Sequence, residues 1–307
     1  MNNHRYTLEK YNGMKTRYCC PSCNKNKIFT RYINQQTNEY LSDAVGCCSR
    51  IIKCGYHYKP KQYFQDNNIS FDKTTPVPFI KRMKPPPKSK TSFIKVEVMN
   101  ESKKSNSPNY FIDFLANHWS IETAEDLADE YNIGTSRHWK GATTFWQVDV
   151  NKRIRSGKIM LYNPADGKRI KEPYNHINWE HKSRKLEDYN LEQCFFGEHL
   201  ITEDTSKPVA ICESEKTAII SSVYLPEFIW LACGSMTNLN EAKTKVLKGR
   251  NVVLFPDLKC FDLWNDKIPH LTTLASFRTS TLLEENATEK EKEAGYDIAD
   301  YLIKIKV

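Results

Sequence analysis

Three short apolar runs punctuate the second half of the chain, and each stops abruptly at a polar or charged residue. Val209-Ala210-Ile211-Cys212 ends at Glu213, Phe228-Ile229-Trp230-Leu231-Ala232-Cys233 ends at Gly234-Ser235, and Asn251-Val252-Val253-Leu254-Phe255 ends at Pro256-Asp257. Helix-compatible stretches, Thr217–Tyr224 and Leu239–Leu247, lie between them. Strands without a polar face, alternating with helices, predict a parallel sheet covered on both sides. Ligands to such sheets gather at the carboxyl ends of the strands. Glu213 and Asp257 both stand at strand ends, where two acidic groups can share a divalent metal.

Upstream the pattern is mixed. Tyr110–His118 and Thr123–Tyr131 have helical periodicity, the second closing at Asn132-Ile133-Gly134 with glycine near the cap. Thr144–Val150, Gly157–Tyr162 and Gln193–Phe196 read as strands, with a turn at Asn163-Pro164-Ala165-Asp166-Gly167. Trp139, Trp146 and Trp179 read as core or hinge residues. From about Ser70 to Pro108 the periodicity dissolves. Thr75-Pro76-Val77-Pro78 and Lys84-Pro85-Pro86-Pro87-Lys88 cannot form helix, and Lys81, Arg82, Lys84, Lys88 and Lys90 make the segment a basic, semi-extended tether. The charged run Glu284–Glu293 reads as a solvated helix or loop. No stretch approaches the ~20 apolar residues of a membrane span. Met1–Arg5 lacks the apolar run of a secretory signal, so a cytoplasmic protein with no membrane partner is expected.

Cysteine usage changes the picture of the N-terminus. Of ten cysteines, Cys194, Cys212, Cys233 and Cys260 are scattered and read as small core residues, whereas Cys19, Cys20, Cys23, Cys47, Cys48 and Cys54 crowd into one short segment. In a chain without an export signal such crowding argues for metal rather than disulfides. Cys20-Pro21-Ser22-Cys23 forms one knuckle and Cys47–Gly55 a second. Lys27–Ile33 and Glu39–Val45, joined by a Gln-Gln-Thr-Asn turn, read as the strands between them. That is a zinc ribbon, closed by four ligands: Cys20, Cys23, Cys48 and Cys54. Adjacent cysteines point in different directions, which makes Cys19 and Cys47 bystanders. His57 is the main competitor for the fourth place. Such a small sheet has almost no core of its own, so structural Zn²⁺ supplies much of its folding energy.

The net charge of +8 favours polyanionic partners. Basic and aromatic residues interleave on the ribbon (Arg17, Tyr18, Arg31, Tyr32, Arg50, Tyr56, Tyr58), a combination suited to single-stranded DNA or RNA. A second basic cluster, Lys152, Arg153, Arg155, Lys158, Lys168, Arg169 and Lys171, reads as a phosphate-binding face.

The order of these pieces resembles the Toprim-containing primases of the DnaG and phage type. Ile211–Ala218 resembles the family's first motif, a strand followed by Glu and then a helix. Leu231-Ala232-Cys233-Gly234 resembles the small-residue turn, Phe255-Pro256-Asp257 the start of the Asp-x-Asp motif, and Gly295–Leu302 the late acidic motif. Asp149–Lys158 resembles the basic strand–turn–strand that precedes Toprim. The Toprim match covers about a third of the chain, and a zinc-binding domain stands in front of it, as in those primases. The cysteine pattern departs from the usual Cys-His-Cys-Cys finger, and the second Asp of Asp-x-Asp falls on Lys259. An ammonium there removes a carboxylate and repels a cation, unless it points away, Asp262 replaces it, or one metal on Glu213 and Asp257 suffices.

The resemblance implies an α/β fold in four parts: a zinc ribbon (1–69), a basic Pro-rich linker (70–108), a basic mixed α+β subdomain (109–203) and a Toprim-like Rossmannoid parallel sheet (204–307). It implies nucleotidyl transfer in the DNA replication of a phage or mobile element, with nucleoside triphosphates as substrates. Glu213, Asp257 and Asp297 would hold Mg²⁺ or Mn²⁺, and Lys216 would hold phosphates. The alternatives are a Toprim-fold adaptor that binds DNA or RNA without catalysis, and a metal-dependent nuclease using the same carboxylates. No Gly-x-x-x-x-Gly-Lys-[Ser/Thr] loop occurs, so any helicase acts as a separate chain.

Overall fold

The computed structural model describes residues 5–51, 53–67, 69, 90–271 and 275–304. The chain divides into two compact units, Met1–Pro86 and Pro87–Val307. Most of the expected tether, residues 70–89, lies outside the described residues.

The first unit is a four-stranded antiparallel sheet in sequence order: β1 (Tyr6–Leu8), β2 (Phe29–Asn34), β3 (Gly46–Cys48) and β4 (His57–Tyr58). A short helix, Pro60–Asp66, follows β4. The strand expected at Glu39–Val45 is found one step later, at Gly46–Cys48, and within the earlier stretch only Tyr40 bridges to Ile33. The reason is steric. β3 crosses β2 so closely that a Cβ at Gly46 would collide with the Thr30 carbonyl and the Phe29 ring, and glycine alone allows that approach. Phe29 pairs with Cys48 across the strands, and the buried cluster is little more than Cys20, Phe29 and Cys48. The thiols are therefore a large part of the core.

The second unit holds two sheets. One is antiparallel, in the order β5 (Ile133–Ser136), β6 (Ala142–Val148), β7 (Ile154–Met160) and β8 (Ile177–Trp179). The other is parallel throughout, in the order β10 (Ile229–Ala232), β9 (Val209–Cys212), β11 (Asn251–Leu254), β12 (Ser276–Thr279). β9 and β10 are buried at every residue, which is why they read as unbroken apolar runs. β12 alternates exposed and half-buried residues at the sheet edge, and its polar Ser-Phe-Arg-Thr pattern gives no such signal. The helices Tyr110–His118, Ile121–Glu130 and Glu215–Tyr224 begin at the side-chain caps Asn109, Ser120 and Ser214.

Two expectations change. The stretch read as tether is packed structure from Lys90 onward, with a helix at Val96–Lys103. Its Met99 is buried beside Trp146, and Trp146 Nε1 donates to Ser102 Oγ at 2.9 Å. Gln193–Phe196 forms no strand; Phe196 makes a lone bridge to Ala232. The boundary expected after Glu203 separates two sheets but not two cores. Phe111, Phe145 and Tyr131 from one side and Val209, Trp230 and Leu254 from the other belong to a single buried cluster. Phe145 packs edge-on to Phe196 at 5.6 Å.

Side chains alternate across the antiparallel sheet. Phe145 and Lys158, directly opposite in register, lie on the face turned toward the parallel sheet, whereas Thr144, Trp146 and Gly157 lie on the other. The expected effect of Gly46→Ala is loss of β2–β3 pairing, a penalty of about 1–3 kcal/mol or more for overpacking. In a sheet with so small a core, zinc content and ribbon melting should both fall while the far-UV signal of the second unit persists.

Candidate metal centre and acidic site

Two knuckles build the metal centre. The first turns at Cys20, whose amide bonds the Lys25 carbonyl (3.0 Å) and whose carbonyl accepts from Asn24 (3.0 Å). The second turns where Cys54 and Gly55 both donate to the Arg50 carbonyl, at 2.8 and 3.2 Å. The ligand atoms of Cys20, Cys23, Cys48 and Cys54 all lie within 4.8 Å of one another. A tetrahedral zinc with Zn–S of ~2.3 Å places its thiolates ~3.8 Å apart, and the Cys20 and Cys54 sulfurs are 3.8 Å apart. The Arg50 amide donates to Cys48 Sγ at 3.4 Å. Burial pushes the Cys48 thiol up, whereas the backbone N–H of Tyr56 draws Cys54 down. The four sulfurs fit a zinc ion.

The bystanders are accounted for. Cys19 is exposed, and Cys47 turns its thiol to the Cys48 carbonyl at 3.6 Å. His57 bonds Tyr32 Oη through Nε2 at 2.9 Å and stacks on that ring, outside the ligand group. The ribbon aromatics are partly spent on one another. Tyr18 and Tyr40 share a hydrogen bond of 2.7 Å, and Arg31 lies 3.9 Å over the Tyr18 ring while pairing with Asp43.

The acidic residues stand at the carboxyl edge of the parallel sheet. Glu213 directly follows β9, and Asp257 is the third residue after β11. Asp297 caps the helix Ile298–Leu302, its Oδ1 accepting from the Asp300 amide (2.8 Å) and its Oδ2 from Thr217 Oγ1 (2.6 Å). The Leu258 amide bonds the Tyr296 carbonyl at 2.9 Å, tying the Asp257 loop to the Asp297 loop. Burial raises all three carboxyls. Asp257 is pushed up to about 8 by burial first and then by Asp297, Glu213 and Asp300, all acidic. Lys158, with Arg169 behind it, opposes the rise at Glu213.

Oxygen donors in this setting suit a hard divalent cation. Among the described residues, however, only the four cysteines bring three or more ligand atoms within 4.8 Å of one another. Ligands to one Mg²⁺ at ~2.1 Å stand at most ~4.2 Å apart, so Glu213, Asp257 and Asp297 do not all reach one ion as placed.

Lys259 is turned away from this edge. Its backbone is left-handed (φ 72°), and its ammonium donates to the Glu293 carbonyl at 2.7 Å. Asp262 lies in the following helix, Phe261–Asn265. Lys216 faces Asp300 at 3.6 Å and lowers Asp297.

The basic cluster is largely self-neutralised. Lys152 pairs with Glu203 (2.7 Å), and Arg153 and Arg155 both hold Asp149 (3.0 and 2.8 Å). Lys168 faces Asp166 at 3.7 Å, and Lys158 grips both oxygens of the buried Glu215 at 2.9 and 3.1 Å. Arg169 is exposed and has no ion-pair partner among the described residues. Sequence reasoning missed Glu215, Thr217 and Asp300. The Asp297-x-x-Asp300 spacing forms a capping box that could have flagged Asp300.

Residues 4–69 match the family model described as a zinc beta-ribbon finger, in agreement with the four-cysteine cluster. Residues 109–258 match the model described as a domain of unknown function, DUF6371, which reaches across Glu213 and Asp257 and stops before Asp297. No curated protein matches the chain. Among solved structures it has a loose likeness to the primase fragment of the bacteriophage T7 primase-helicase protein: 12% identity, 91% of this chain and 98% of that chain covered, TM-score 0.38. No helix among the described residues is long and apolar enough to cross a membrane.

Two outcomes follow from these geometries. Purified, reduced protein should carry one equivalent of zinc, and Cys20→Ser should release it; metal analysis reads both. For Asp257 the folded state holds a proton that the unfolded chain releases near pH 4. Its contribution is therefore favourable at low pH and lost as pH rises from about 4 through about 8. In magnesium-free buffer, thermal stability of the second unit should fall across that window by up to a few kcal/mol. Asp257→Asn should flatten the slope, and added Mg²⁺ should offset it at pH 8.

Proposed function

We propose that this is a primase-like nucleic-acid-binding protein. The ribbon engages a single-stranded template, and a Toprim-type acidic edge carries out metal-dependent nucleotidyl transfer. The observation that carries this reading is the surroundings of Asp257. Burial raises this strand-end carboxyl first, and the charged neighbours that raise it further among the described residues, Asp297, Glu213 and Asp300, are all acidic; the group that relieves such repulsion is a cation. The donors are all oxygen, which suits Mg²⁺ or Mn²⁺ rather than zinc. Glu213 and Asp257 would hold the ion, with Asp297 committed to its cap and adding its field. When bound, the ion would polarise a phosphoryl oxygen and neutralise charge developing on the transferred group.

The chain's own residues divide the remaining work. Arg169, exposed and near enough to Glu213 to lower it, suits the phosphates of a nucleoside triphosphate. Lys158 is held by Glu215 and keeps the Glu213 side from excess negative charge. Lys216 balances Asp297 and Asp300 in the same way. Turned to the Glu293 carbonyl, Lys259 does not oppose a cation at Asp257. Template attraction belongs to the N-terminal unit, where residues 1–86 hold 15 Lys and Arg against 5 Asp and Glu. Replication of a phage or mobile element is the setting this division of labour suits.

The test is primer synthesis from nucleoside triphosphates on single-stranded template with Mg²⁺ or Mn²⁺. Wild type should be active, Glu213→Gln and Asp257→Asn should each lose about two orders of magnitude or more, and Lys259→Ala should match wild type. Template binding without synthesis under either ion would replace the enzyme with a non-catalytic adaptor. Cleavage of the template in place of extension would assign the same carboxylates to a nuclease.

A further inference from the structure

A cleft of about 990 Å³ opens on the side of the antiparallel sheet opposite the acidic edge. Its walls are the end of the Val96–Lys103 helix with the loop after it, the end of β5, and the short helix Glu180–Ser183. Lys104, Arg137 and Arg184 supply its positive charge, and Ser105, Ser136 and Ser183 bring hydroxyls. Its acids are Glu101, exposed at the rim, and Glu180, which is 4% exposed.

The cleft contains a built arrangement. Thr144 Oγ1, from the sheet beneath, donates to Glu180 Oε1 at 2.8 Å. Glu180 Oε2 accepts from Arg184 Nε at 3.0 Å. The buried carboxylate is thus anchored below and aims the guanidinium above. Among the described residues neither terminal nitrogen of Arg184 has a protein partner, which leaves free the fork that grips a phosphate. His138 is fixed as well: Asn178 Nδ2 donates to its Nε2 at 2.9 Å, which leaves the proton on Nδ1, facing Ser183 Oγ at 3.2 Å. Arg137 is exposed and has no ion-pair partner among the described residues. Burying a carboxylate is costly unless it is satisfied, and here it is satisfied by groups that orient an arginine toward open space.

We propose that this cleft binds a nucleotide, with Arg184 and Arg137 clamping its phosphates and the serine hydroxyls bonding phosphate or sugar. Its volume is that of a small-molecule site, about 300–1,000 Å³. The site needs no divalent ion and is independent of the nucleotidyl-transfer reading, because it lies on the other face of the sheet.

The experiment is isothermal titration calorimetry on the full, zinc-loaded chain in magnesium-free buffer, with ATP, ribose 5-phosphate, pyrophosphate and a single-stranded oligonucleotide as separate probes. ATP should bind more tightly than either fragment. Arg184→Lys and Arg137→Ala should each weaken it about tenfold, Glu180→Gln should weaken it by releasing Arg184, and Glu213→Gln should leave it unchanged. Arg137 is exposed and has no side-chain partner among the described residues, so its variant keeps the test valid if Arg184 or Glu180 variants fail to fold. No binding of ATP, or binding indifferent to both arginines, overturns the proposal. Loss of binding in Glu213→Gln also overturns it, by placing the nucleotide at the acidic edge. Equal affinity for pyrophosphate removes the nucleotide, and binding of the oligonucleotide alone makes the cleft a backbone groove.

Discussion

Lys158 and Glu215 meet in the interior of the second unit, and much of its arrangement depends on that meeting. Glu215 is 1% exposed and Lys158 13%, and both carboxylate oxygens are taken. Leaving either charge buried alone would cost on the order of 3–5 kcal/mol. The antiparallel sheet must therefore dock on the Glu215–Tyr224 helix in the one register that brings β7 to its first turn. Ser214 caps the same turn, so the end of β9 and the start of the helix are both fixed. Glu213, between them, is held at the sheet edge instead of being drawn into the core.

That constraint sits within one apolar cluster. The aromatic side chains Phe111, Phe145, Tyr131 and Phe196 from the antiparallel side interleave with Trp230 and the β9–β11 residues from the parallel side. The sheets differ in kind because their burial differs. The parallel strands β9 and β10 are buried throughout and need no polar face. The antiparallel sheet packs Phe145 and Lys158 inward and presents Thr144 and Trp146 to the helices on its outer side. The acidic edge and the arginine-lined cleft consequently belong to opposite faces and do not compete for the same residues.

Charge is partitioned as unevenly as packing. Residues 1–86 are strongly basic, while residues 87–307 hold 30 Lys and Arg against 32 Asp and Glu. The cluster from Lys152 to Arg169 looks like a phosphate face in one dimension. In three, the β6–β7 turn folds Asp149 back onto Arg153 and Arg155, and Glu203 and Glu215 arrive from distant segments. Arg169 is exposed and has no ion-pair partner among the described residues. The ribbon solves the opposite problem: it has little apolar material, and its thiols serve both as core and as metal ligands.

What the chain determines by itself is local. Spacing was enough to pick out the four cysteines whose sulfurs cluster, because a knuckle is a short-range object and neighbouring cysteines cannot share a direction. Strand β9 and the helix Tyr110–His118 were legible to the residue, since full burial and a cap residue leave marks in sequence. Tertiary structure decided what depends on distant partners. The edge strands β5, β8 and β12 exist because a neighbour offers them hydrogen bonds, and β3 lies where Gly46 can pass Phe29. The Val96–Lys103 helix, hidden in a stretch that reads as tether, is held by Trp146 from far along the chain. Lys259 follows the same logic: its sequence position opposes a cation, but its left-handed backbone and the Glu293 carbonyl carry its ammonium elsewhere. A motif specifies which side chain stands at a position; where that side chain points is set by the partners the fold brings within its reach.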